Sequence, residues 1–333
     1  ATKLSAEAQL KAIEAEESGK PELAGRYRGA AAKFEEAVAL HMQALQAEAQ
    51  GKTNQGIVLN NAGYATKLSA EAQLKAIEAE ESGKPELAGR YRGTAAKFEE
   101  AVALYMQALQ AEAQGKTNQG IALNNVGYAT RSSAEVQLKA IEAEEIGKPE
   151  LAGRYRGVAA KFEEALALRM QELQAKAQGK TKQGIVLNNA GYPTRSSAEA
   201  QLKAIEVEES GKPELAGRYR GAAAKFEEAV ALYMQALQAE AQGKTQQGIL
   251  LGNAGYATRS SAGAQLKAAE AYKNGKLAIA RSYEGVAKIY QEAAKLSNTA
   301  TLLGNTIDSQ NLSNRASAIM RIADDQLAEL ERS

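Results

Sequence analysis

The side chains able to do acid–base or nucleophilic chemistry are few in this 333-residue chain. His41 is the single histidine, Cys is absent, and the only Asp residues are Asp308, Asp324 and Asp325. That inventory excludes a disulfide, a thiolate or His-cluster metal site, and an Asp-rich calcium loop. His41 is replaced by Tyr105, Arg169 and Tyr233 at the equivalent positions further along. Three side-chain types across four copies at one position point to a semi-exposed structural site, not a general base. Glu35-Glu36 and Glu80-Glu81 could in principle act as acid and base. Neighbouring residues on a helix point about 100° apart, however, so such pairs read as solvated surface. No catalytic residue, metal or cofactor is expected.

Two polar motifs are better suited to binding. Arg26-Tyr27-Arg28 recurs as Arg90-Tyr91-Arg92, Arg154-Tyr155-Arg156 and Arg218-Tyr219-Arg220. The tyrosine falls on an apolar face, while the arginines flank it, where they suit Glu of a neighbouring helix or the carboxylates of a partner. Asn60-Asn61 recurs as Asn124-Asn125 and Asn188-Asn189, with Gly252-Asn253 in the next copy. These amides can satisfy backbone groups near a helix kink or hydrogen-bond the backbone of a bound peptide. Gly25 and Gly29, a small-x-x-x-small pair, predict close approach of two helix backbones. With 41 basic and 40 acidic residues the net charge is +1, which is no nucleic-acid footprint. No apolar run approaches the roughly 20 residues of a membrane span.

These motifs recur because the chain is a tandem array. Residues 1–64 return as 65–128 with four changes: Ala30 to Thr94, His41 to Tyr105, Val58 to Ala122 and Ala62 to Val126. Further copies span 129–192 and 193–256. The fifth, 257–333, diverges and ends in a polar stretch from Asn311 that suits a capping helix. No Gly/Ser-rich or Pro-rich linker separates the copies, which predicts one elongated body. The chain starts at a repeat boundary without Met, as an excised segment would, so missing targeting signals carry no weight and localisation is unreadable.

Each 64-residue copy reads as two helices. Leu23, Tyr27, Ala30, Phe34, Ala37, His41 and Leu45 recur at the three-and-four spacing of one helix face. Pro21 suits the first turn and Gly51 a left-handed stop. The second helix runs from Thr53, a natural N-cap, to Ser82, with Ile57, Tyr64, Leu68, Ala72 and Ala79 on one side. Asn60 to Gly63 and Pro193 weaken its middle and favour a long helix kinked around Gly63 to Thr66. The short Gly-Lys connections make consecutive helices antiparallel. The fold class is therefore all-α, a solenoid-like array of long helical hairpins with more than about two-thirds helix.

Lys97-Phe98-Glu99-Glu100-Ala101-Val102-Ala103-Leu104-Tyr105-Met106-Gln107-Ala108-Leu109 resembles the second helix of a tetratricopeptide repeat. Asn125-Val126-Gly127-Tyr128 resembles the end of that family's first helix. With longer helices and the acidic Glu-Ala-Glu-Glu-Ser-Gly-Lys helix end, the units are also similar to microtubule-interacting-and-trafficking (MIT) domains. The resemblance implies a non-enzymatic scaffold for a protein or peptide partner, with the asparagines as peptide-backbone ligands. The alternative reading is a structural spacer or repetitive surface antigen whose length is the function.

Overall fold

A computed structural model describes residues 1–332. About 90% of the chain is helical, and among the described residues there are eleven helices and no strand. They are α1 (Thr2–Glu17), α2 (Pro21–Ala49), α3 (Thr53–Glu81), α4 (Pro85–Ala113), α5 (Thr117–Glu145), α6 (Pro149–Ala177), α7 (Thr181–Glu209), α8 (Pro213–Ala241), α9 (Thr245–Lys273), α10 (Leu277–Leu302) and α11 (Ile307–Arg332). The chain divides within α6 into two compact units, Ala1–Glu163 and Glu164–Ser333.

The nine turns from α1 through α10 use one device. Gly19, Gly51, Gly83 and their equivalents sit at φ near +70°, a region open to Gly because it has no Cβ. The Lys after each of these Gly donates its backbone N–H to the carbonyl five residues back, as Lys20 does to Ala15 at 2.8 Å and Lys52 to Ala47 at 2.9 Å. The Gly N–H closes the inner ring onto Glu16 or Glu48. This Schellman geometry satisfies the last carbonyls and reverses the chain in three residues. Pro21, Pro85 and Pro213 then open the next helix at a position that has no donor to lose. Lys52, not Thr53, is the N-cap of α3, and no side chain caps that end.

Within each unit the helices pack in chain order, each against its neighbours. Phe34, Phe98 and Phe162 occupy one position of the even helices of the first unit, and Phe226 and Tyr290 the same position in the second. The odd helices add a second contact. Leu74 and Ile77 of α3 enter a recess formed by Ala12, Ala15, Ala24 and Tyr27 of the preceding hairpin. Leu138 and Ile141 of α5 enter the matching recess of Ala76, Ala79, Ala88 and Tyr91. Burying such a side chain stabilises by about 1.5–3 kcal/mol. In the second unit Leu266 and Ala269 of α9 meet Ala204, Val207, Ala216 and Tyr219. At the end of the chain α11 lays Met320, Ala323, Leu327 and Leu330 on Val286, Ala287 and Tyr290. Asn311, Asn314, Arg315, Asp325 and Glu329 of α11 are exposed, so α11 has the polar outer side of a cap.

One expectation holds and two change. First, the odd helices are single long helices, not pairs of short ones: they run through Asn60–Thr66 and its equivalents, and α7 continues through Pro193. Pro193 is buried, and its packing offsets a proline cost of roughly 3 kcal/mol. Second, the apolar faces are narrower than the periodicity suggests: Leu45, Ile57 and Tyr64 are exposed. Third, Gly25 and Gly29 do not mark a backbone crossing. A Cβ at either would meet nothing within 4 Å.

The close approaches lie on the odd helices. A Cβ at Gly56 would stand 2.7 Å from Glu48 Cγ and 3.2 Å from the Ala44 carbonyl oxygen. At Gly63 it would stand 3.1 Å from His41, and at Gly127 2.9 Å from the Tyr105 ring. Two glycines seven residues apart thus let each of α3, α5, α7 and α9 press onto the preceding even helix. Opposite effects of Gly→Ala substitution follow. Gly25→Ala or Gly29→Ala should stabilise by about 0.5–1 kcal/mol, since Gly costs that much in mid-helix. Gly127→Ala should destabilise by about 1–3 kcal/mol, because the fully buried Tyr105 ring has nowhere to move. Shifts in denaturant midpoint check both signs.

Candidate functional site

The Arg-Tyr-Arg motifs turn inward. Arg26 of α2 and Arg92 of α4 both pair with Glu80 of α3. Arg90 and Arg156 pair with Glu144 of α5 in the same way. Arg28 pairs with Glu16 at 2.5 Å, Arg220 pairs with Glu208, and Arg154 is not free either. In the last copy Tyr272 stands where earlier copies have Glu. Arg218 stacks 3.9 Å from that ring and reaches Glu284 at 2.7 Å, where earlier copies have Arg. These compensating changes keep the interhelical link. The central tyrosines point the same way: Tyr27 donates to Glu81 at 2.6 Å, and Tyr91 donates to Glu145. Burial, then these hydrogen bonds, raise both phenols far above their usual value. The arginines proposed as partner contacts are therefore part of the interhelical ladder, each pair worth little alone because it is half-exposed.

The asparagines divide. Asn60 Oδ1 lies 3.0 Å from His41 Nδ1, and Arg169 donates to Asn188. Asn61 donates to Asn124 at 3.3 Å and accepts from Arg131 at 3.3 Å, linking α3 to α5. Asn125 and Asn189 are half-buried. Beside the Asn61–Asn124 link the Arg131 guanidinium stacks between Tyr64 and Tyr128, 5.1 and 4.8 Å from the ring centres. In the second unit Arg259 stacks likewise between Tyr192 and Tyr256, at 5.2 and 4.9 Å. Arg131 Nε also lies 3.1 Å from Glu135, in ion-pair range but out of line for a hydrogen bond. Burial raises the Glu135 carboxyl, and Arg131 opposes that shift.

Two turns from each tyrosine stands an isoleucine. Ile57, Ile121, Ile185 and Ile249 are about half-exposed, as are Tyr64, Tyr192 and Tyr256. In the first unit α3 and α5 touch, as do α7 and α9 in the second, so neighbouring Ile/Asn/Tyr stripes lie side by side. This face was missed because Ile and Tyr were assigned to the core. The offset of about 100–140° around the helix between Ile57 and the buried Val58 and Ala62 was the available signal.

The His41 position is likewise more buried than expected. His41 is half-buried, whereas Tyr105 and Tyr233 are fully buried. Arg169 belongs to a charged cluster peculiar to the third copy. It lies 3.1 Å from Glu172, and Lys176 lies 2.5 Å from the other Glu172 oxygen. Glu172 is 2% exposed and Arg169 6%. Burial lowers the affinity of Arg169 for its proton, and Glu172 opposes that shift. The other full copies carry Ala44, Ala108 or Ala236 where this one has Glu172, and Glu48, Glu112 or Glu240 where it has Lys176. Three substitutions at i, i+3 and i+7 in one copy were the readable signal.

No protein-family model matches the chain, and no curated protein matches it. Among the described residues no helix is long and apolar enough to cross a membrane. No group of three or more His, Asp or Glu there is placed to hold a metal ion.

Breaking the buried cluster and replacing it are different events. Glu172→Ala strands Arg169 and should cost roughly 3–5 kcal/mol. The triple change Arg169→Tyr, Glu172→Ala, Lys176→Glu restores the fourth copy's pattern and should be neutral or stabilising, as thermal melts would record. A second outcome concerns pH. Tyr233 is buried without a hydrogen-bond partner, and burial raises its phenol from 10.0 to about 12. Folding therefore holds that proton, so its stability contribution is complete below pH about 10 and declines as pH rises toward 12. Tyr233→Phe should flatten that decline and cost little at pH 7, since no partner is orphaned.

Proposed function

We propose that the chain is a non-enzymatic scaffold of tetratricopeptide-like or MIT-like hairpins whose odd-helix face docks a protein or peptide partner. The repeated half-exposed Ile–Tyr stripe carries this reading. Ile57 and Tyr64 stand about 10.5 Å apart along α3, with Asn60 and Asn61 between them. Such a stripe accepts apolar anchors of an amphipathic helix or peptide, and its amides suit the partner's polar groups. Side-by-side stripes within a unit let a partner gain avidity with copy number. The arginine ladder has a different role, holding the helices in register so that the stripes stay aligned.

The test is selection of peptides from a random display library against the full chain. Enriched peptides should carry apolar or aromatic anchors. Their affinity should fall at least about tenfold, or 1.4 kcal/mol, in the combined variant Ile57→Glu, Ile121→Glu, Ile185→Glu, Ile249→Glu. Its melting temperature should barely move, because these side chains are already exposed. Arg26→Ala with Arg90→Ala should leave binding intact. No enrichment, or binding indifferent to the Ile changes, rejects the scaffold reading and leaves that of a spacer.

A further inference from the structure

We infer that the Arg259 guanidinium on α9 is a binding site for a carboxylate group that another molecule brings. The observation is an acid missing from one step of a repeated pair. On the odd helices a cation faces a glutamate one turn on: Lys3 with Glu7 at 3.4 Å, Lys67 with Glu71 at 3.3 Å, Arg131 with Glu135 at 3.1 Å and Arg195 with Glu199 at 3.3 Å. At the next step Arg259 keeps the cation, but Gly263 stands where the glutamate would be. No other side chain has moved into that place, since a Cβ at Gly263 would meet nothing within 4 Å. Arg259 forms no ion pair or hydrogen bond among the described residues.

The guanidinium is nevertheless held in place. Stacking between the Tyr192 and Tyr256 rings occupies its two faces, and its N–H edges remain for hydrogen bonding. Tyr256 reaches Asp324 at 3.5 Å, but that carboxylate accepts from Tyr290 at 2.5 Å and does not pair with Arg259. Two buried hydroxyls of the same region lack partners. Thr258, 3% exposed, makes no hydrogen bond through Oγ1, whereas Thr66, Thr130 and Thr194 donate to the carbonyl one turn back at 2.9, 3.0 and 2.9 Å. Tyr233, 1% exposed, is likewise unpartnered, and its phenol lies in the field of Arg259, which opposes the rise that burial causes. Tyr105 shares that feature, so Gly263 and Thr258 are the parts peculiar to this step.

The preceding steps show which chemistry fits. Glu135 fills the equivalent place beside Arg131, itself stacked between Tyr64 and Tyr128. The group complementary to Arg259 is therefore a carboxylate on a short arm, which a guanidinium can take through two N–H donors. The site does not rest on the scaffold reading, which only names one source for the acid. That source is an Asp, a Glu or a chain-terminal carboxylate of a partner lying along α9, where Arg259 stands about 15 Å from Ile249 along the axis. A small free carboxylic acid is the other source.

The experiment titrates the full chain with sodium acetate, balanced by sodium chloride at constant ionic strength, and follows the arginine Nε–H resonances by NMR. Arg259→Gln identifies the Arg259 resonance by its loss. That resonance should shift and saturate with acetate, while Arg131, whose Glu135 is in place, should not respond. Gly263→Glu restores the repeat's own pattern and should weaken the Arg259 response at least about tenfold with helix content unchanged. Glu135→Ala should confer the response on Arg131. An Arg259 resonance that moves no more than that of Arg131, or that still responds in Gly263→Glu, overturns the inference. Peptides from the display selection separate the sources. Where a partner supplies the acid, changing the peptide's Asp or Glu to Asn or Gln should cost at least about tenfold in affinity for the full chain and nothing for Arg259→Gln. Peptide binding indifferent to its acids, with the acetate response intact, keeps the site and assigns it to a small free acid. An empty selection rejects the scaffold alone, since the acetate titration decides the site without it.

Discussion

The contact on which the array depends is the insertion of an odd helix's Leu and Ile into the recess of the hairpin before it. Ile77 against Ala12, Ala15, Ala24 and Tyr27 is the pattern, and Ile141 repeats it one copy later. A single hairpin buries one side of each helix against the other and leaves both the knob and the recess open. Only a following odd helix fills the recess, so hairpins are stable as neighbours more than as individuals. The divergent last copy shows the same rule from the other direction. Ala269 replaces the Ile, and α11 supplies Met320, Leu327 and Leu330 as a closing helix with a polar outer side.

The charged residues follow from that contact. Once the knob is seated, Glu78, Glu80 and Glu81 are brought opposite Lys11, Arg26 and Tyr27. None of these half-exposed pairs contributes much by itself. Repeated at every step, they set the rotation of each helix about its axis, because a slip of one residue would mispair a whole row. Tyr272 with Arg218 and Glu284 shows the row tolerating a change of chemistry when the geometry is kept. The third copy goes further and places Arg169, Glu172 and Lys176 where other copies have an aromatic or His, Ala and Glu. Buried ion clusters are weak sources of stability but strict about position. That copy is thus marked as distinct among the four full copies.

Surface left over from these demands is what a partner can meet. The Ile57–Tyr64 stripe and its equivalents are neither seated in a recess nor consumed by the ladder, and the contact of α3 with α5 and of α7 with α9 brings neighbouring stripes together. Gly56 and Gly63 belong to this logic. By letting the odd helix press onto Glu48 and His41 of α2, they set how far the stripe stands from the core.

The amino-acid sequence by itself determined the all-α class, the repeat length, the helix boundaries and the turns. Those features rest on local chemistry: a Gly that can take positive φ, a Pro with no donor to lose at N1, and a three-and-four spacing of Ala, Tyr and Phe. Tyr27 and Phe34 could be placed in the core on that ground alone. The candidate site was less legible. The Arg-Tyr-Arg motif was visible, but whether its arginines face a partner or Glu80 depends on residues 54 and 12 positions away. Periodicity counts apolar residues and cannot say which edge of a stripe a neighbour covers, so Ile57 and Tyr64 read as core. The glycines show the same limit most plainly. Gly25 and Gly63 look alike in one dimension, yet one faces open space and the other the His41 ring, and only the packing of α2 against α3 decided which.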